Sequence, residues 1–286
     1  MKKIVEIRKN NQGHWVGDGF PVRTLFSYDD RPELTSPFLL LDYAGPAEFK
    51  PSDHRRGVGE HPHRGFETVT VVYQGEVVHR DSAGNGGRVG PGDVQWMTAA
   101  SGVVHEEKHG DDLTRNGGML EMVQLWVNLP AKDKMSPPRY QDILDKQIPV
   151  VDLDAGAGSV RVIAGEWKGN KGPAKTFTPI NLWDLHLSGP RAVTLVLPEG
   201  HTAAVLVRKG AVTVAGKSTG EGELALLGRD GAELVLEAHG GEADALLMSG
   251  LPIDEPVVGY GPFVMNTGEE IRQAAHDYHD GKMGHL

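Results

Sequence analysis

Cysteine is absent from this chain of 286 residues. No disulfide can form, and iron–sulfur clusters, thiolate zinc sites and cysteine nucleophiles are excluded for the same reason. Any metal that the protein binds must therefore be held by nitrogen and oxygen ligands.

Long apolar runs and an excess of positive charge are also missing. The longest apolar stretches, such as FLLLDYAG, are too short to span a bilayer, and the basic start MKKIVEIRK has no apolar core of signal-peptide length. The formal net charge is -10, so we expect no direct binding to DNA or RNA, although this charge does not argue against a protein partner. We expect a cytoplasmic protein without a membrane segment.

Glycine and proline are abundant, with 38 and 18 residues, and they separate short apolar runs. This pattern favours strands joined by turns over long helices. Turn sequences such as SAGNGG and GPGD divide the first half, and the proline-rich connector PAKDKMSPPRYQDILDKQIP interrupts the strand pattern near residues 130–148. We expect an all-β protein with one domain at 1–135 and a second at 148–286.

A single helix is predicted near the end of the chain. Thr267 and Glu270 form a capping box, and Gly281 suits the C-terminal stop. Apolar residues follow the cap at helical spacing, namely Ile271, Ala274, Ala275 and Tyr278.

The two halves repeat one pattern. VYQGEVVHRDS in the first half is similar to VRKGAVTVAGKS in the second, and QLWVNLP is similar to LLMSGLP. Each repeat exceeds one hundred residues, which is too long for a solenoid unit. The pattern indicates two similar β domains that arose by duplication.

Two histidines flank a proline in GEHPHRGFE. In an extended segment His61 and His63 point to the same face, because side chains alternate along a strand. Pro62 favours the extended conformation at His61. The two imidazoles can therefore converge on one point.

A second pair with the same spacing lies in SGVVHEEKHG. His105 and Glu107 share a face, whereas Glu106 points away. Three imidazoles and one carboxylate suit Fe, Mn, Co, Ni, Cu or Zn better than Ca or Mg. Glu67 is a rival to Glu107 as the oxygen ligand, because it shares the parity of His61.

Other histidines are expected to play lesser roles. His109 is interpreted as a surface residue, and His79 as solvated or hydrogen-bonded and not ligating. The second half has only His201 where the first has the HPH motif, so one metal per chain is expected. Apolar residues that could line the site are Phe38, Leu40, Phe66, Trp96, Met97 and Met119.

The motifs in the first half resemble those of the pirins, a bicupin family. The matching stretches are PFLLLDYAGP, HPHRGFETVTVVYQGEVVHRDS, GPGDVQWMTAASGVVHEE, QLWVNLPAKDKM and GPFVMNTGEEI, while residues 150–255 match by pattern more than by residue. The resemblance implies two cupin-type β-barrels in tandem, with a short connector and a C-terminal helix. It also implies a metal in the first barrel, held by His61, His63, His105 and Glu107.

The family resemblance also suggests what the site does. It implies one divalent transition metal, expected to be Fe2+ with Ni, Co, Mn, Cu or Zn as alternatives, and O2-dependent ring cleavage of a flavonol such as quercetin. Glu107 would then be both ligand and catalytic base. The alternative that the resemblance implies is an iron-dependent, redox-sensitive protein-binding module or transcriptional cofactor without turnover. We expect a monomer.

Overall fold

The computed structural model describes all 286 residues, and most of them lie in strands. The strands up to residue 143 are β1 (Ile4–Lys9), β2 (His14–Val16), β3 (Phe20–Phe26), β4 (Phe38–Phe49), β5 (Gly57–His63), β6 (Phe66–Gln74), β7 (Val77–Asp81), β8 (Gly86–Val89), β9 (Val94–Thr98), β10 (Val103–His109), β11 (Gly118–Asn128) and β12 (Arg139–Ile143).

The remaining strands belong to the second half and to the C-terminal segment. They are β13 (Val150–Asp152), β14 (Gly158–Ala164), β15 (Glu166–Trp167), β16 (Asn170–Lys171), β17 (Ile180–Ser188), β18 (Ala192–Val196), β19 (Thr202–Lys209), β20 (Ala211–Val214), β21 (Lys217–Gly220), β22 (Glu223–Leu227), β23 (Glu233–Ala238), β24 (Glu242–Gly250), β25 (Val258–Tyr260) and β26 (Phe263–Met265).

Helices are few and short. The α-helices are α1 (Pro32–Thr35), α2 (Asp111–Asn116) and α3 (Gly268–His279), and single 3-10 turns lie at Ala131–Asp133, Asp145–Gln147 and Asp154–Gly156. None of the helices is long and apolar enough to cross a membrane. The predicted all-β fold is confirmed, as is the helix at the C-terminus.

The chain forms two compact units, each built from a seven-stranded and a four-stranded sheet. In one unit the sheet orders are β12-β9-β6-β11-β4-β3-β2 and β5-β10-β7-β8; in the other they are β1-β22-β19-β24-β17-β14-β13 and β18-β23-β20-β21. The two seven-stranded sheets correspond strand for strand, with β6 of the first in the place of β19 of the second. They differ in the origin of one edge strand: next to β9 it is β12, which follows β9 in the chain, and next to β22 it is β1, from the start of the chain. The repeat seen in the sequence is therefore a repeat of topology.

Each end of the chain belongs to the unit that is formed mainly by the opposite half of the sequence. Residues 1–10 belong to the unit formed mainly by 146–252, and residues 253–286 belong to the unit formed mainly by 38–145. This grouping differs from the predicted domains 1–135 and 148–286 at both ends. At the N-terminal end the reason is that β1 pairs with β22 through backbone groups, which every residue type except proline provides in full.

The C-terminal helix begins at the predicted cap. Thr267 Oγ1 accepts a hydrogen bond from the Glu270 amide, and the Glu270 carboxylate accepts one from the Asn266 amide. Ile271 and Ala274 are buried, as expected for the apolar face, whereas Ala275 and Tyr278, which were predicted on the same face, are exposed. The helix packs beside β25 and β26 within its own unit.

Candidate metal centre

Strand register brings the predicted ligands to one face of the four-stranded sheet. In that sheet β10 lies between β5 and β7, and His105 is directly opposite His61 on β5 and Asp81 on β7. Two residues further along β10, Glu107 is opposite His79. Residues directly opposite on antiparallel strands have Cβ atoms about 4.5–5.5 Å apart, so these side chains are near neighbours on one face.

Three imidazoles meet where β5 ends and β10 begins. The ring centroid of His105 lies 4.2 Å from that of His61 and 4.8 Å from that of His63, and the last two are 4.9 Å apart. One nitrogen from each ring lies within 4.8 Å of the other two. Such a set can hold a metal ion.

Hydrogen bonds orient the rings. His61 Nδ1 lies 2.8 Å from the Gly59 carbonyl, and His63 Nδ1 lies 3.4 Å from the Pro262 carbonyl. A carbonyl only accepts, so each Nδ1 carries the proton and each Nε2 presents a lone pair. This is the usual arrangement of a metal-binding histidine, whose second nitrogen donates to a fixed acceptor.

The chemistry of the site fits a divalent metal. His105 Nε2 is buried without any hydrogen-bond partner, which costs about 1–3 kcal/mol in a metal-free protein. Burial lowers the pKa of His63 and of His105 well below the usual value, with a further contribution from the neighbouring histidines. Both rings are therefore neutral near pH 7, which is the form that binds metals.

Glu107 lies beside a second, overlapping group. Its carboxylate, His79 and His105 each offer an atom within 4.8 Å of the others, and all three residues are buried. The Gln124 amide donates to Glu107 Oε2 at 3.3 Å, and the Thr70 hydroxyl lies 3.2 Å from Oε1. The structure thus brings three of the four predicted ligands into one group, and it places Glu107 in a second group with His79 and the shared His105. Ligation by His61, His63, His105 and Glu107 stays a prediction.

Glu67, the rival oxygen ligand, belongs to neither group. It is buried, the Thr98 hydroxyl donates to its Oε1 at 2.7 Å, and Arg139 lies 3.6 Å away. Burial raises the pKa of Glu67 to about 7. The Glu67 carboxyl group is therefore hydrogen-bonded apart from both groups of possible metal ligands.

Replacing Glu67 by glutamine is expected to change how stability depends on pH. Folded Glu67 has a pKa of about 7 and the ordinary value is 4.5, so between these pH values the folded protein holds a proton that the unfolded chain releases. The stability of the original chain therefore falls with rising pH in this window. From below pH 4.5 to above pH 7, the Glu67→Gln variant should gain about 3 kcal/mol relative to the original chain.

Urea unfolding of the metal-free proteins at several pH values measures this difference. The matched control is Glu48→Gln, because Glu48 is exposed on β4. A Glu67→Gln difference as flat with pH as that of the control would contradict the prediction.

His79 is buried, and both of its ring nitrogens have hydrogen-bond partners. The hydrogen-bonded alternative predicted for it is confirmed, and the solvated one is wrong. Its Nε2 lies 3.3 Å from Asp81 Oδ2, and its Nδ1 lies 3.0 Å from the Gln95 amide nitrogen and 3.3 Å from His105 Nδ1. Burial alone would raise the pKa of Asp81, but hydrogen bonds from His79 and Asn85 outweigh it and hold that pKa below its usual value. The i, i+2 spacing of His79 and Asp81 in VVHRDS was the available signal.

The interpretation of His109 as a surface residue is wrong. Its side chain is 2% exposed, its ring packs edge-on against Phe49 with centroids 4.6 Å apart, and its Nε2 donates to the Gly19 carbonyl. Strand β10 runs through to His109, so the parity that turns His105 inward also turns His109 inward.

The C-terminal segment supports the first histidine motif. Gly65 has a φ of +92°, and a Cβ there would lie 2.0 Å from the Val264 carbonyl oxygen, so only glycine allows this close approach. Arg64 pairs with Phe263, and Lys134 Nζ donates to the carbonyls of Gly65 and Val264 at 2.7 and 3.0 Å. The end of β5 is thus held by residues two hundred positions later.

Aromatic side chains flank His63. Its ring meets Phe66 and Trp126 edge-on at 5.1 and 5.2 Å, and those two rings stack at 4.3 Å. Among the residues predicted to line the site, Phe66 therefore contacts it. Met119 is 38% exposed and lines a separate cavity of about 440 Å³ that includes none of the clustered histidines. Its prediction as a lining residue is wrong.

Comparison with protein families identifies two matching regions. The pirin family model matches residues 19–127, and the model of the pirin C-terminal cupin domain matches residues 182–284. Together they cover most of the chain.

Relatives span the full length of the chain. A Pseudomonas aeruginosa protein, provisionally named quercetin 2,3-dioxygenase, is 57% identical over 99% of this chain and 98% of its own. A pirin-like protein of Solanum lycopersicum is 39% identical over 99% of this chain and 92% of its own.

Solved structures have the same fold. The crystal structure of a quercetin 2,3-dioxygenase from Acinetobacter baumannii is 52% identical, covers 99% of both chains and superimposes with a TM-score of 0.96. A bacterial pirin from Escherichia coli, solved in complex with nickel(II), is 21% identical with a TM-score of 0.66 over 87% of this chain and 99% of its own. The second likeness concerns the fold alone.

Proposed function

Because this chain belongs to the pirin family, we propose that it is a metal-dependent dioxygenase that cleaves a ring of a flavonol such as quercetin with O2. The observation that carries the proposal is the convergence of His61, His63 and His105, with a buried and unpartnered Nε2 on His105. The name of the Acinetobacter baumannii relative at 52% identity supports the choice of reaction.

The proposed ligands are His61, His63, His105 and Glu107. When bound, the ion would supply a Lewis acid that lowers the pKa of a flavonol hydroxyl group. Fe2+ is the proposed metal, and Ni, Co, Mn, Cu and Zn suit the same nitrogen and oxygen donors. The corresponding strand in the second unit, β23, has no histidine, which supports one metal per chain.

The surrounding residues would bind and orient the substrate. Phe66 and Trp126 beside His63 offer an apolar, aromatic wall that excludes water from one side of the site. A flavonol is flat and aromatic, so such a wall suits it. Ring cleavage would place both oxygen atoms of O2 in the products and release one ring carbon as carbon monoxide.

Glu107 is the proposed proton acceptor for the flavonol hydroxyl. Its carboxylate is held by the Gln124 amide and lies beside the shared ligand His105. A carboxylate fixed in this way can take up a proton as charge moves away from the substrate oxygen. Glu106, by contrast, points to the other face and pairs with Arg80 and Lys108.

The test is an aerobic assay on protein loaded with Fe2+ or Ni2+. Quercetin absorbance should fall with matching O2 uptake, and the Glu107→Gln variant should turn over about 10²–10⁴-fold more slowly. Glu106→Gln is the matched control, since it makes the same change at the neighbouring residue on the opposite face.

Two results would contradict the proposal at different levels. A Glu107→Gln variant with full metal content and full turnover removes the proton-acceptor role alone. No turnover of flavonols or catechols by the metal-loaded chain removes the dioxygenase and leaves the redox-sensitive binding module as the better hypothesis.

A further inference from the structure

A chain of buried hydrogen-bonding side chains runs from His105, on the side away from His61 and His63, through His79 to Asp81. His105 Nδ1 lies 3.3 Å from His79 Nδ1, and His79 Nε2 lies 3.3 Å from Asp81 Oδ2. His79 and His105 are fully buried, and Asp81 is 5% exposed. Because water does not reach these rings, each ring nitrogen must find its partner within the protein.

The carboxylate end of this chain fixes the direction of its bond with His79. Asp81 Oδ1 accepts from the Ala83 amide, the Asn85 amide and the Asn85 side chain, at 2.9, 2.9 and 3.2 Å. An ionised carboxylate only accepts, so His79 Nε2 carries a proton and donates a hydrogen bond to Asp81 Oδ2. In the neutral ring His79 Nδ1 is then an acceptor, and its single lone pair is shared between the Gln95 amide at 3.0 Å and His105 Nδ1 at 3.3 Å.

The orientation of Gln95 is compatible with this assignment, and it leaves Gln95 Oε1 buried without a hydrogen-bond partner. Its amide nitrogen lies 3.0 Å from His79 Nδ1 and donates to it. The reversed amide would require a proton on His79 Nδ1 and would leave a lone pair on Nε2 facing the Asp81 carboxylate. Two acceptors at 3.3 Å repel each other, so the reversed arrangement is unfavourable.

We propose that Asp81 and His79 are positioning residues that set the tautomer of His105: the His105 Nδ1–H group donates a hydrogen bond to His79 Nδ1, and His105 Nε2 is left with its lone pair facing His61 and His63. The proposal rests on the proposed metal site, for which it supplies the supporting residues. Neither Asp81 nor His79 needs to touch the metal or the substrate.

The change that isolates this role is Asp81→Asn, which keeps the shape of the side chain. The asparagine oxygen can keep the bonds to Ala83 and to the Asn85 backbone, while its amide group faces His79 Nε2. His79 then takes its proton on Nδ1, and two donors oppose each other unless His105 also changes tautomer. The lone pair of His105 would then face His79 and no longer the metal.

Two measurements on the full chain test the proposal. Long-range 1H–15N spectra of the metal-free protein should show protons on His105 Nδ1 and His79 Nε2, and in Asp81→Asn both tautomers should be reversed. Competition with a chelator should show that Asp81→Asn binds Ni2+ about 10–100-fold more weakly.

Tyr140→Phe is the matched control. Tyr140 stacks on His79 with centroids 5.1 Å apart, but its hydroxyl has no hydrogen-bond partner, so its removal should change neither the tautomers nor the Ni2+ affinity.

The outcomes separate this proposal from the metal site itself. If the original chain binds Ni2+ and Asp81→Asn binds it equally well, the positioning role is wrong and the site stands. A proton on His105 Nε2 in the original metal-free chain also overturns the proposal, whether or not the variant folds. If the original chain binds no Ni2+, the metal site fails and the positioning role fails with it.

Discussion

Replacing His105 by glutamine is expected to lower the affinity of the chain for Ni2+ or Fe2+ by more than about 100-fold. Loss of a residue that merely supports a ligand typically costs about 10–100-fold, and His105 is the donor common to both groups. Its ring is also fully buried, so no water takes its place without a cost. Chelator competition measures the affinity, and elemental analysis of the purified protein measures the metal content.

His109→Gln is the matched control for this prediction. His109 lies on the same strand, is as deeply buried and has the same inward parity, but its Nε2 donates to the Gly19 carbonyl. A glutamine amide can also donate there, so the variant should keep its metal affinity. Equal affinities for His105→Gln and His109→Gln would show that the metal, if bound, is held elsewhere.

The shared face within each i, i+2 pair could be predicted because it depends on strand parity alone. His61 and His63 share a face for as long as the segment is extended, and the same holds for His105 and Glu107. What parity does not give is register. The β5–β10 register places His105 directly opposite His61, and a bulge in that pairing puts Glu107 opposite Val58, while the regular β7–β10 pairing puts Glu107 opposite His79. The sequence contains no local sign of that bulge.

Contacts with distant parts of the chain were beyond sequence reasoning for a different reason. The Pro262 carbonyl near His63 and the Val264 carbonyl near Gly65 are backbone groups, and any residue type provides them. Side-chain patterns cannot identify such partners. The position of residues 253–286 in the unit of the histidine cluster is therefore a finding of the structure, whereas the helix itself was readable from its cap and its apolar spacing.

The role of His79 illustrates a limit of weighing histidines singly. For His79 the structure confirms hydrogen bonding, and its i, i+2 spacing from Asp81 is the one local sign of a partner. Its relation to His105 becomes visible only when β7 and β10 are paired. The pairing places His79 opposite Glu107 and Asp81 opposite His105, so the two i, i+2 pairs lie side by side on one face. Two i, i+2 pairs on neighbouring strands of one predicted sheet are thus a stronger signal than either pair alone.

The C-terminal helix is joined to the histidine motif by a buried ion pair, and breaking it is expected to destabilise the protein strongly. Arg64 follows His63 directly, donates to the Ser101 carbonyl at 2.7 Å and to Asp277 on α3 at 2.8 Å, and its side chain is 6% exposed. Hydrogen bonds from Lys282 and Arg64 hold the pKa of Asp277 well below its usual value, so the pair is charged in ordinary buffers.

Asp277→Leu should lower the free energy of unfolding by about 3–5 kcal/mol, because it leaves the Arg64 guanidinium group buried without a counter-charge. Urea unfolding of the metal-free protein measures the change, and Glu269→Leu is the control, since Glu269 and its partner Arg272 are both exposed on the same helix. An exposed pair of this kind contributes about 0–1 kcal/mol. The double variant Arg64→Met, Asp277→Leu should recover much of the loss, because no unpaired charge is left in the interior. A double variant no more stable than Asp277→Leu alone would mean that the cost lies in the packing of the helix and not in the charge of Arg64.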